Sequence, residues 1–256
     1  FSGGFVALAT VVIVTGSVVA VLRWDAFWSS NWMVWQAENL LRLFVVGVLC
    51  VHVPHQLAHG LVCIHFHGRV RECGIRLILN VLPSFYCDVA DARWITDKGR
   101  RLWVIFAGLF YQLLAFAVGI IGWTLTRPLQ SANAFWATVA ATAFWGLVLN
   151  ANPVIKRDMY YLMTGWLETP QLRERSRELL KAWVRWRVPP EALSGRRRLG
   201  FAGYALVSNL VGVAAVTLAG LFWVRLAGAY HEKAGMGLLA VSAIFLRSRI
   251  ASAGAV

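Results

Sequence analysis

FVVGVLCVHVPHQLAHGLVCI, residues Phe44–Ile64, is an uninterrupted apolar stretch with polar side chains set inside it. A bilayer core about 30 Å thick needs roughly 20 apolar helical residues, so the stretch reads as a membrane-spanning helix. His55 and His59 are four residues apart, which puts them on one face of that helix, one turn from each other. Such a pair can bind one metal ion, and an ionisable side chain inside a span is costly unless it has a function. In the HExxH form of this pattern the glutamate beside the first histidine takes a proton from the attacking water. Here that general-base position is Gln56, whose amide can hydrogen-bond water but cannot accept its proton at neutral pH. His52 lies one turn earlier and is expected to pack or to support the pair rather than to act as a ligand.

The rest of the 256 residues fits a membrane protein. Hydrophobic residues make up 59% and charged residues only 14%, with a mean hydropathy of +0.61. A soluble domain of this size needs more charge to cover its surface. Thirteen tryptophans agree, since indole rings favour the membrane–water boundary. The net charge of +13 does not point to nucleic acid, because no binding motif accompanies it and the basic residues fall between apolar spans. The cysteines, Cys50, Cys63, Cys73 and Cys87, have no CxxC spacing, and no disulfide framework is expected.

The predicted spans are Phe5–Leu22, Phe44–Ile64, Leu102–Thr126, Ala132–Leu149 and Leu199–Val224, with Gly235–Leu246 as a short or broken sixth. Phe5–Leu22 has no basic residue before it and no small-residue cleavage site after it, so it is expected to be retained in a longer protein. Arg23–Leu41, rich in tryptophan, is expected to lie at the interface. Gly68–Leu79 is strand-like and Pro83 is expected to end that character, which suggests a β-hairpin close to the metal helix. Thr169-Pro170 starts a basic helix whose apolar face is Leu172, Leu179, Leu180, Trp183 and Val184. The expected fold is therefore an all-α polytopic membrane protein, with about five to six transmembrane helices and a small membrane-associated β-hairpin. Its parts are an N-terminal span and interfacial helix (1–41), a membrane core (42–168), a cytoplasmic amphipathic helix (169–198) and C-terminal helices (199–256).

The polar connection His65–Arg101 carries seven Lys and Arg against four acidic residues, and Lys156–Arg198 carries more. If both face the cytoplasm, the intervening spans alternate correctly, which places the histidines near the cytoplasmic face. A tetrahedral zinc with an open position needs a third protein ligand. Asp158 is the candidate, in the run Asn150-Ala151-Asn152-Pro153-Val154-Ile155-Lys156-Arg157-Asp158. Pro153 should break the fourth span, leaving carbonyls that Asn150 and Asn152 can satisfy, or leaving these amides to bind an extended peptide.

HQLAHG on an apolar span, followed by NANPxxxxD, resembles the site-2 protease family of intramembrane zinc metalloproteases. It is most similar to the branch of putative peptide zinc metalloproteases. The likeness runs from about Leu40 to Leu180 and includes HFHGRVRECGIRLIL, LPSFYCDVADAR and Trp166-Leu167-Glu168. It implies a Zn²⁺ held by His55, His59 and Asp158, and a water-activating role at position 56. It also implies an Asn150/Asn152-Pro153 segment that holds a peptide or membrane-protein substrate, in a bacterial inner membrane. Arg249–Val256 would begin an adaptor-like segment. Gln56 and Met159, which stands where the family usually has glycine, depart from the pattern, as do His67 and Leu109-Phe110. Two functions follow from the likeness. One is a zinc endopeptidase impaired by Gln56; the other is a catalytically dead relative that binds a peptide or membrane segment within a membrane complex.

Overall fold

The computed structural model describes residues 3–35, 39–78, 82–127, 129–185 and 195–229. The chain divides into two units, Phe1–Gln171 and Leu172–Val256. The first holds α1 (Gly3–Leu22), α2 (Trp24–Val34), α3 (Leu40–Val46), α4 (Val53–His65), β1 (Cys73–Ile78), β2 (Leu82–Cys87), α5 (Lys98–Leu125), α6 (Gln130–Asn150) and α7 (Asp158–Trp166). The second holds α8 (Leu172–Val184) and α9 (Gly195–Ala229).

Among the described residues, four helices are long and apolar enough to cross a membrane: Gly3–Leu22, Leu41–His65, Lys98–Leu125 and Gln130–Asn150. They match the first four predicted spans. The fifth predicted span, Leu199–Val224, falls within α9, whose stretch Leu199–Ala214 is an apolar helix shorter than the other four. Gly235–Leu246 and Arg249–Val256 lie outside the described residues.

α5 is the centre of the first unit and packs against α1, α4, α6 and α7. Lipid offers no hydrophobic drive for helices to associate, so their contacts depend on close backbone approach at small residues. A methyl group at Gly119 of α5 would overlap the Ala140 backbone of α6, and one at Gly16 of α1 would overlap Ala117. Ala117, Ala140, Ala141 and Ala143 are accordingly buried. In the stretch expected at the interface, Phe27 of α2 is buried edge-on against Phe116, Trp123 and Phe144.

α3 runs into α4 through one widened π turn, Gly47–His52, in which Val53 N–H bonds back five residues to the Val48 carbonyl. Pro54 explains this turn. In a regular helix the Cys50 carbonyl would accept from residue 54, but proline has no N–H and its ring crowds that carbonyl. Widening the helix relieves the clash. The Tyr111 hydroxyl of α5 donates to the Cys50 carbonyl at 2.6 Å. Tyr111→Phe should therefore destabilise the fold by about 1 kcal/mol, the usual worth of one such bond. Thermal denaturation in detergent measures it, and an unchanged midpoint would show that the bond carries no stability.

β1 and β2 form an antiparallel hairpin that pairs Cys73 with Cys87 and Leu77 with Pro83. Pro83 was expected to end the strand character, and the structure corrects this. The backbone bond from Asp88 N–H to the Glu72 carbonyl makes that pair hydrogen-bonded. By the two-residue alternation of such ladders, Cys73–Cys87, Ile75–Phe85 and Leu77–Pro83 are non-hydrogen-bonded pairs. Proline there forfeits no ladder bond, as usual for proline in an edge strand. The hairpin is tied to the π turn ahead of α4 by His52, whose Nε2 is 3.1 Å from both Ser84 Oγ and the Phe85 carbonyl.

In the second unit, α8 packs on α9 and buries Leu172, Ser176 and Leu179. Trp183, on the apolar face expected to meet the membrane surface, is exposed.

Candidate metal centre

His55 and His59 leave α4 toward α5 and are buried, at 2% and 7% exposure. Asp158 reaches them from another element. α6 ends at Asn150, ahead of Pro153 as expected, and the connection turns back so that Asp158 is the first residue of α7. An acidic residue in a first helical turn is favoured by the helix dipole. Asp158 Oδ2 lies 3.2 Å from His55 Nε2 and 3.5 Å from His59 Nε2. One ligand atom from each of the three residues falls within 4.8 Å of the others.

These separations suit a metal. Ligands about 2.0–2.1 Å from a tetrahedral zinc lie about 3.3–3.5 Å apart. The hydrogen-bonding agrees. His59 Nδ1 donates to the Val104 carbonyl of α5 at 2.8 Å, which leaves Nε2 as the unprotonated nitrogen facing the site. Asp158 Oδ2 is buried and accepts no hydrogen bond among the described residues, although two ring nitrogens lie beside it. A bound cation would satisfy this oxygen together with the two ring nitrogens.

α5 supplies the floor of the site, which the sequence did not reveal. Val104, Gly108 and Gln112 fall four residues apart, on one stripe of α5. A Cβ at Gly108 would overlap His59 Nε2 and come within 2.5 Å of His55 Cε1. Both imidazoles thus rest on bare backbone. Gln112, also buried, accepts a bond from Asn150 Nδ2 at 3.1 Å, which ties the end of α6 to the same stripe. The available signal was a glycine followed one turn later by a lone glutamine in an apolar span.

No protein-family model matches the chain, and neither a curated protein nor a solved structure matches it significantly. The site therefore rests on its own geometry.

The other residues singled out from the sequence fall around this centre. Asn150 also receives Arg157 Nη1, at 3.5 Å, while Asn152 Oδ1 accepts from Val154 N–H at 2.9 Å and so closes the turn around Pro153. Gln56 is half-buried and forms no side-chain hydrogen bond among the described residues. Met159 follows Asp158 directly and is also half-buried. His52 points to the hairpin and takes no part in the three-residue cluster. A cavity of about 330 Å³ lies between the π turn and α6, and His52, Gln112, Asn150 and Arg157 are among its lining residues.

Proposed function

We propose that the chain is a membrane-embedded zinc endopeptidase of the site-2 protease kind, strongly impaired at proton transfer by Gln56. The observation that carries this reading is the convergence of His55, His59 and Asp158 beside a helix break, with a buried oxygen that no hydrogen bond satisfies. A zinc ion held there would polarise the scissile carbonyl and acidify a water molecule. The chain's own residues do the rest. Val104 fixes the His59 tautomer, and Gly108 sets the depth of the rings. The polar segment Asn150–Pro153, next to an open cavity, offers a peptide strand amides in an otherwise apolar setting. Gln56 orients water but leaves its proton in place.

The two basic connections support an inner bacterial membrane with the site near the cytoplasmic face, and α9 would add a fifth span. The substrate would be a peptide or a membrane protein. Gln56 and Met159 also favour a second reading, in which the fold is kept and catalysis is lost, and the site holds a peptide or membrane segment for a partner in the bilayer.

Metal analysis of the purified full chain tests the proposal. One zinc per chain should be found in the wild type and lost in His59→Ala. A wild-type chain that takes up no zinc at all would overturn the zinc centre and leave only the second reading.

A further inference from the structure

Outside the metal centre, Cys73 and Cys87 face each other across the hairpin with their Sγ atoms 2.7 Å apart. They form a non-hydrogen-bonded antiparallel pair, the position where opposed side chains come closest and where Cα atoms are about 4.5 Å apart. That separation lies within the range a disulfide accepts without backbone movement. The two thiols differ in their surroundings. Cys73 is exposed. Cys87 is half-buried, and its sulfur occupies the space a side chain at Gly60 would fill. Gly60 immediately follows His59 in α4, so this sulfur rests on the metal helix itself.

We propose that Cys73 and Cys87 are a reversible dithiol–disulfide pair that is oxidised by hydroperoxides, with Cys73 reacting first and Cys87 resolving. The Cys73 thiolate attacks one peroxide oxygen and the O–O bond breaks. Hydrogen peroxide then yields a sulfenic acid on Cys73 and one water. The Cys87 sulfur attacks the Cys73 sulfur, the S–O bond breaks, and a second water leaves with the Cys87 proton. In total, two thiols lose two electrons and two protons to one peroxide. A dithiol reductant reverses the reaction by exchange. The order follows from access, and also from acidity: burial and the neighbouring Cys73 push the Cys87 thiol up to about 12, so it is a poor first nucleophile. This inference does not depend on the peptidase reading.

The test uses the full chain in detergent, treated with hydrogen peroxide and then with maleimide. Two of the four free thiols should be lost to labelling, the mass should fall by two hydrogen atoms, and dithiothreitol should restore both. Peptide mapping should find one cross-link, Cys73 to Cys87. In Cys87→Ser, dimedone should trap a sulfenic acid at Cys73, whereas in Cys73→Ser it should leave Cys87 unlabelled. Four thiols still reactive after peroxide would overturn the proposal. So would a cross-link from Cys87 to Cys63 or between two chains, or equal dimedone labelling of both positions. The wild-type map requires no substitution, so a serine variant that misfolds does not remove the test.

Discussion

Gln56→Glu should raise the rate of peptide cleavage by about 10²- to 10⁴-fold, the usual contribution of a positioned general base. The substitution changes an amide to a carboxylate of nearly the same shape beside His55, so the fold and the metal ligands should be unaffected. Because Gln56 forms no side-chain bond among the described residues, no existing contact is given up for the gain. The measurement is turnover of a fluorogenic peptide or a membrane-segment substrate by the zinc-loaded variant and wild type. Equal zinc content and unequal rates would place the defect in proton transfer. A Gln56→Glu chain that holds zinc, binds the peptide and still does not cleave it would favour the non-catalytic reading.

Gly108→Ala should lower zinc affinity by at least about 10- to 100-fold, the range seen when groups that position metal ligands are changed. Here the added methyl group would occupy the space of the His59 Nε2 ligand atom itself, so the upper end of that range is expected. Titration with a chromogenic chelator measures it. Gly119→Ala is the matched control. That site is also crowded, but against Ala140 of α6, and the substitution should cost stability without lowering zinc affinity. Equal zinc affinity in the two variants would show that α5 plays no part in setting the histidines.

Why Gly108 escaped the sequence while the ligands did not is a matter of which elements carry the information. His55 and His59 sit on one helix, where a four-residue spacing fixes their relation, and the break at Pro153 pointed to Asp158 nearby. Gly108 matters only because of what a different helix places against it. Only Gln112, one turn later, sets its sequence context apart from that of Gly119 or Gly122, which meet Ala140 and Trp136 instead. The four long spans were legible because each is a single apolar run. Pro54 and Pro83 were harder, since proline's effect depends on where the missing donor would have pointed. At Pro83 it pointed away from the partner strand and cost nothing. At Pro54 it pointed at Cys50 and reshaped a helix.

That reshaping gives the span a residue that its geometry does not need. A π turn amounts to one residue inserted into an α-helix, with the flanks on either side keeping the faces they would have had. The helix upstream of His55 can therefore lose one residue between Gly47 and Cys50, once Pro54 is also replaced, and close into a regular ladder. Leu43 would stay among its apolar neighbours and the histidines would stay on Gly108. A deletion after His59 has no such slack and would turn every later residue of α4 by about 100°. Length can vary on one side of the histidine pair and not on the other.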